Sequence, residues 1–275
     1  MTLVNDKTYQ KLQYITADNI HSPNVTAIFT TRNGGVSGTT PDSEYYRSLN
    51  MRLDSEKDSQ TNVTENYRIV TSSQGFTADG VLSLNQKHND SIIVVDEDII
   101  KSRTDPVIGE ADAMLTNIRG VMLSIRIADC VPILLYDSAN GVIGAVHAGW
   151  HGSYKQIVAK AVRLMKERYG IDLNNIQAAI GPAIGVCCYE VGTDLYERFQ
   201  KELGGKTDRF FKVEPGKKPF LDLKEMNKSF LIEAGIPERN IEVSELCTMC
   251  NPELFYSHRR SGEKRGTMAA LIGMR

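Results

Sequence analysis

The chain has 275 residues, of which 41% are hydrophobic and 24% charged, enough apolar material for a sizeable core and too much for a wholly disordered protein. Lys and Arg number 32 against 34 Asp and Glu, so the net charge of −2 gives no global basic field and nucleic-acid binding is not expected. No apolar run approaches the roughly 18 residues of a membrane span.

The N-terminal run MTLVNDKTYQKLQYIT has neither the apolar core nor the small-residue cleavage site of a secretory signal. Five cysteines is an odd number in an otherwise ordinary chain. Free thiols in a reducing compartment, the cytoplasm, are therefore expected rather than a disulfide framework.

In chain order, the first strand-like run is Val25–Thr30, followed by the loop-like stretch Thr31–Ser43. Val63–Ser72 reads as a helix. Val81–Leu84, Ser91–Asp96, Ala113–Thr116 and Val121–Ile127 read as strands, rich in Val and Ile and bounded by Gly, Asn or Asp. Pro132–Tyr136 and Val142–His147 flank the polar break Asp137–Gly141, which predicts a hairpin and antiparallel pairing. Ser153–Tyr169 has Ile157, Val158, Ala161, Val162, Leu164 and Met165 largely on one side at helical spacing. Ser153 is placed to cap its start and Gly170 to end it in the left-handed conformation. Ile176–Ile180 is a strand, Asp194–Leu203 a helix, and Lys212–Pro219 a loop. The helix Leu223–Ala234 and the strands Ile241–Glu245 and Met268–Gly273 complete the chain. Strands and helices do not alternate strictly, so an α+β fold is expected. One domain over residues 1–275 is expected, with residues 1–23 as an N-terminal extension.

Five histidines are candidates for chemistry: His21, His88, His147, His151 and His258. A lone histidine is usually a surface or hydrogen-bonded residue, so context decides. His147 ends a buried strand-like run and precedes the small residues Ala148 and Gly149, where a pocket can form. His151 follows four residues later, but Gly149 and Gly152 argue against a helix that would set both rings on one metal. Cys130 ends another strand-like run, beside Asp129, an acid in an apolar setting. His88 sits among polar residues between two strands. Convergence of His88, Cys130 and His147 would give two imidazoles and a thiolate, three ligands with one position open, the pattern of a catalytic zinc site. Such a site lowers the pKa of a water toward neutrality.

Cys247-Thr248-Met249-Cys250 is a CxxC, a redox pair or half of a zinc knuckle. The vicinal Cys187-Cys188 is the only candidate for a second half. A four-thiolate site from those two pairs is the alternative, but adjacent cysteines make strained chelators, so packing thiols are expected here. The glycine-rich runs Arg32–Gly38 and Ile180–Gly185 match neither a Walker A nor a GxGxxG pattern and read as tight turns with exposable amides. Ser257-His258-Arg259-Arg260 is a short basic cluster able to neutralise an anion or to sit as a solvated loop.

Together, Ala128–Leu135 (ADCVPILL), Ala145–Trp150 (AVHAGW), Ile180–Gly185 (IGPAIG) and Cys187–Val191 (CCYEV) resemble the YfiH/YlmD-type family, whose members carry the labels polyphenol oxidase or laccase and purine nucleoside phosphorylase. Thr31–Ser37, Cys247-Thr248 and Phe255–Arg260 extend the resemblance, which runs from about residue 25 to the C-terminus. It implies a layered α/β sandwich with mixed sheets and a metal site at His88, Cys130 and His147, holding Zn²⁺ or Cu²⁺. It also implies phosphorolysis of adenosine, inosine, guanosine and methylthioadenosine, and deamination of adenosine. Purine nucleosides and phosphate are then the partners, and no protein partner is predicted. Two positions depart from the family pattern. His151 stands where the family usually has Arg after HAGW, and Arg52 stands where Gly is expected.

Three other readings compete with the nucleoside enzyme: a copper polyphenol oxidoreductase, a metal-free Cys–His hydrolase with Cys130 as nucleophile, and a non-catalytic metal scaffold. Two imidazoles and a thiolate resemble a blue-copper ligand set. Five histidines, however, cannot also furnish the trinuclear cluster of a multicopper laccase. In the nucleoside enzyme Asp129 is a candidate proton carrier beside Cys130, and Arg32, Arg52 and Arg260 are candidate anion clamps.

Overall fold

Apolar runs buried on both faces dictate the centre of the molecule. Every residue of Val131–Asp137 and of Val142–Ala148 is buried, so these two runs are interior strands covered above and below rather than surface strands with one wet face. The computed structural model describes residues 1–9, 11–20, 22–39, 45–53 and 58–275. His21 and the end of the Thr31–Ser43 loop lie outside the described residues.

The strands are β1 (Thr2–Asn5), β2 (Gln13–Thr16), β3 (Val25–Thr30), β4 (Val81–Asn85), β5 (Ile92–Val94), β6 (Val107–Glu110), β7 (Ala113–Thr116) and β8 (Met122–Ile127). They continue with β9 (Val131–Asp137), β10 (Val142–Ala148), β11 (Ile176–Ile180), β12 (Phe211–Lys212), β13 (Phe220–Leu221), β14 (Ile241–Val243) and β15 (Met268–Met274). The helices are α1 (Gln60–Ser73), α2 (Glu97–Ser102), α3 (Trp150–Tyr154), α4 (Ile157–Tyr169), α5 (Thr193–Leu203), α6 (Leu223–Glu233) and α7 (His258–Ser261).

Two mixed sheets carry the fold. One has seven strands in the order β1-β2-β3-β15-β8-β4-β6, the other six in the order β14-β11-β9-β10-β7-β5. The period-2 alternation of side chains sorts each strand between two cores. Along β15, Ala270 and Ile272 join Leu123, Ile125, Leu134, Tyr136 and Ile143 between the sheets. Ala269 and Leu271 of the same strand face α1, against Val63, Tyr67 and Val70. On the far side, Ile133, Leu135, Val142 and Val146 pack under Val158, Val162 and Met165 of α4, Phe199 of α5 and Phe230 of α6. The layers run helix, sheet, sheet, helices, so the expected layered α/β sandwich with mixed sheets is the observed one. No helix among the described residues is long and apolar enough to cross a membrane.

The predicted hairpin is present, with β9 and β10 antiparallel and His147 opposite Pro132. Two expectations need correction. The segment Ser153–Tyr169 is not one helix, because Gln156 adopts φ 56° and separates α3 from α4. Ser153 lies inside α3, buried, and its hydroxyl accepts from Asn227 Nδ2 at 2.7 Å instead of capping. Gly170 does end α4 in the left-handed region. In the N-terminal segment β1 pairs with β2, and β2 pairs with β3.

Candidate metal centre

Three connections and the end of a strand meet at one end of the sandwich. His88 lies between β4 and β5, Asp112 between β6 and β7, and Cys130 between β8 and β9, while His147 is the penultimate residue of β10. The ligand atoms of His88, Cys130 and His147 lie within 4.8 Å of one another. The two imidazole rings meet edge to face, 4.9 Å apart at 81°.

Asp112 organises this corner and is fully buried. Its Oδ1 receives the His147 Nδ1 proton at 2.7 Å and the amide of His88 at 3.0 Å. Its Oδ2 receives the amides of Lys87 at 3.1 Å and Asn89 at 2.8 Å. One carboxylate therefore pins the loop that carries the first imidazole and holds the second through its Nδ1, so that Nε2 is the nitrogen available to a metal once its own proton leaves. Those amide bonds hold His88 at φ 56°, in the left-handed region that non-glycine residues seldom adopt. His151 Nδ1 donates to the His88 carbonyl at 2.8 Å, which ties α3 to the same loop and keeps His151 off the three-ligand group.

Gly149 is required by space. A Cβ there would stand 3.1 Å from Cys130 Sγ and 3.3 Å from His88 Cδ2, closer than the neighbours tolerate without moving. Burial alone would raise the Cys130 thiol, but the charge and hydrogen bond of His147, then His88, bring it down to about 6. Burial would likewise lower His147, yet the Cys130 charge and the Asp112 hydrogen bond push it up to about 9. In the metal-free protein the pair is thus a thiolate beside an imidazolium.

His88 and Cys130 line a cleft of about 440 Å³, with His147 buried behind them, and its walls include Asp129, Trp150, His151, Tyr189, His258, Arg259 and Arg265. Two imidazoles and one sulfur, one imidazole backed by a buried carboxylate and an open side facing a cleft, is a donor set that fits a divalent transition metal.

Asp129 lines the cleft at φ 94°, and three donors converge on its carboxylate. Thr248 Oγ1 donates to Oδ1 at 2.6 Å, and Ser257 Oγ and the Arg259 amide donate to Oδ2 at 3.0 and 2.6 Å. These bonds hold a strained residue and stitch three segments of wall together.

The three arginines singled out from sequence are absent from the cleft lining. Arg32 stacks over the Tyr256 ring at 4.7 Å and donates to the Pro252 carbonyl. Arg52 pairs with Glu263 at 3.7 Å. Arg260 donates to the carbonyls of Thr248, Met249 and Phe255. The arginines that reach the cleft are Arg259 and Arg265. Arg265 is half-buried, and its Nε and Nη1 are buried without a hydrogen-bond partner among the described residues. Burial, set against the opposing pull of Glu263, lowers its pKa from the usual arginine range. Sequence reasoning passed over Asp112, although an acid between two alanines at the edge of a strand-like run carries the same signal that drew notice to Asp129.

The remaining cysteines are not packing thiols. Cys187, Cys188, Cys247 and Cys250 form a second group whose sulfur atoms lie within 4.8 Å of one another, and only Cys247 is buried.

A layered α+β sandwich with a His–Cys–His group anchored on a buried aspartate at one end defines a class of candidate metalloproteins. Residues 26–275 match the family described as multi-copper polyphenol oxidoreductase laccase, and the chain belongs to that family. It is 33% identical over 260 residues to purine nucleoside phosphorylase YlmD of Bacillus subtilis (strain 168), covering 94% of this chain and 91% of that protein. It is 32% identical over 243 residues to adenosine deaminase RL5 of an unknown prokaryotic organism, covering 86% of this chain and 90% of that protein. The crystal structure of the hypothetical protein YfiH from Bacillus licheniformis matches with a TM-score of 0.86 at 34% identity, covering 99% of each chain. The YfiH/YlmD resemblance expected from the sequence motifs is borne out.

Proposed function

We propose that this chain is a purine nucleoside phosphorylase that also deaminates adenosine, at a zinc ion held by His88, Cys130 and His147. The observation that carries this reading is Arg265 in the cleft that His88 and Cys130 also line, with two of its donors unpartnered among the described residues. Unpaired buried donors are costly, and a guanidinium fork matches phosphate. The relatives named as nucleoside phosphorylase and adenosine deaminase support the substrate class.

Phosphorolysis exchanges the N9–C1′ bond of the nucleoside for an oxygen–C1′ bond to phosphate, and the purine leaves with a proton. Deamination exchanges the C6 amino group for an oxygen from water and releases ammonia. When bound, zinc supplies Lewis acidity toward an oxygen in the cleft. The chain does the rest. Asp112 keeps the His147 proton on Nδ1 and so presents Nε2. Arg265, with Arg259 beside it, receives the phosphate. Trp150 and Tyr189 offer ring faces to the purine. Asp129 acts through the wall it ties together, as a positioning residue. His151 adds an imidazole to the cleft where the family usually has Arg.

Zinc is favoured over multicopper chemistry by the histidine count, since five histidines do not make a trinuclear cluster beside this site. Copper still competes for the same ligands on raw affinity. The Cys130–His147 contact also suits a metal-free thiolate nucleophile, and metal content separates the two readings.

Purified protein given adenosine and phosphate is expected to release adenine and ribose 1-phosphate, and to release inosine without phosphate. Neither product from zinc-loaded protein would sink the proposal. His88→Ala, Cys130→Ala and His147→Ala are each expected to abolish metal retention and activity with an unchanged circular dichroism spectrum. Activity persisting in any metal-free variant refutes the zinc mechanism.

A further inference from the structure

The second sulfur group is built by two loops that the sheet brings side by side. Ala183, just beyond β11, forms a parallel bridge with Cys247, and the Thr248 amide donates to the Ala183 carbonyl at 3.0 Å. A turn follows, closed by the amides of Cys188 and Tyr189 on the Gly185 carbonyl at 2.9 and 3.0 Å. That turn removes the objection to adjacent cysteines as chelators, because it brings both side chains to one point. Cys250 Sγ lies 3.6 Å from Cys187 Sγ and 3.4 Å from Cys188 Sγ.

These spacings discriminate between chemistries. A disulfide requires sulfurs about 2.05 Å apart, and all five cysteines are free. Four thiolates around zinc at about 2.3 Å stand roughly 3.8 Å from one another in a tetrahedron, close to the separations seen. The fourth sulfur, Cys247, is prepared as an anion. The Gly185 amide donates to it at 3.2 Å, and the amides of Met249 and Cys250 also reach it. Two cations lie within electrostatic reach of Cys247: Lys224, itself buried, and Arg260. They oppose the double negative charge that four thiolates leave on a divalent ion.

We infer that Cys187, Cys188, Cys247 and Cys250 form a second metal site, a closed four-thiolate centre for a zinc-class divalent cation. Loading releases the thiol protons to solvent and changes no oxidation state. With all four positions filled by protein, the centre has no place for substrate and is structural. It holds together the loop carrying Ile184 and Tyr189, which line the cleft, and the loop carrying Thr248, which donates to Asp129. The inference is independent of the reaction performed in the cleft.

Metal counting on the full chain, expressed with zinc in the medium and purified without chelator, tests it. The wild type is expected to carry two zinc ions per chain by mass spectrometry, and C187S/C250S one. H88A/C130A leaves the sulfur group untouched, so it is expected to keep one zinc even where the cysteine variant fails to fold. Cobalt loaded into H88A/C130A is expected to show the intense sulfur-to-metal absorption of a four-thiolate tetrahedron. No metal in H88A/C130A overturns the inference. So does a zinc content that C187S/C250S leaves unchanged, iron in place of zinc, or a mass two hydrogens short that marks a disulfide.

Discussion

The two groups of ligands in this molecule are opposites in construction. The His88–Cys130–His147 group is assembled from connections of both sheets, backed by a fully buried carboxylate and open on a cleft. The four-cysteine group comes from two adjoining loops, with Cys187 and Cys250 exposed and Cys247 buried. A site that must hold substrate needs a vacant position and fixed ring orientations, so it draws on the rigid end of the sandwich. A site that only fastens loops needs enough sulfur and nothing behind it. The proposed catalytic group and the proposed structural group thus lie side by side, joined through Asp129 and Thr248.

The comparison breaks most readily at Asp112. Asp112→Asn is expected to weaken metal binding at the histidine site by about 10- to 100-fold, measured by competition with a chromophoric chelator, while the sulfur-bound metal is retained. Equal loss from both sites would erase the distinction.

Thiol chemistry sharpens it next. In metal-stripped protein Cys130 is held down to about 6, whereas burial and the neighbouring Cys250 thiol push Cys187 up to about 11. A lowered thiol pKa places its thiolate above that value, so Cys130 alkylation should rise through a midpoint near pH 6. Cys187 should stay slow until alkaline pH. At neutral pH the two rates are expected to differ roughly 30- to 100-fold, the thiolate fractions being partly offset by the weaker nucleophilicity of the more acidic sulfur. Peptide mass spectrometry after a timed iodoacetamide pulse reads both at once, and equal rates would refute the electrostatic contrast.

The smallest expected effect concerns the anion. Arg265→Gln should raise the KM for phosphate by about tenfold, the worth of one charge-assisted hydrogen bond, and leave adenosine deamination without phosphate nearly intact. A uniform loss of both activities would show that Arg265 supports the cleft instead of holding phosphate.

Much of this was legible in the sequence where local chemistry and tertiary structure agree. The central strands are continuous Val, Ile and Leu runs, and the Asp137–Gly141 break set the hairpin that places His147 opposite Pro132. The edge strands β1 and β2 were illegible, because TLVN and QYIT are short, polar and defined only by pairing. The break at Gln156 was hidden because helical spacing continues on both sides of it. The choice among arginines failed for another reason. Arg32, Arg52 and Arg260 stand in recognisable motifs, but which guanidinium reaches the cleft depends on the carbonyls and rings around it. The four sulfurs were dismissed on the strain of adjacent cysteines, an argument that holds for a straight backbone and lapses at a turn.

His88 differs from its two companions in how it is mounted. Cys130 abuts one central strand and His147 belongs to another, so displacing either means unpairing the middle of a sheet. His88 is exposed on a loop held in an uncommon backbone conformation by Asp112. The group is therefore set into the sheet on two sides, and on its solvent side it depends on a loop whose place rests on one buried carboxylate.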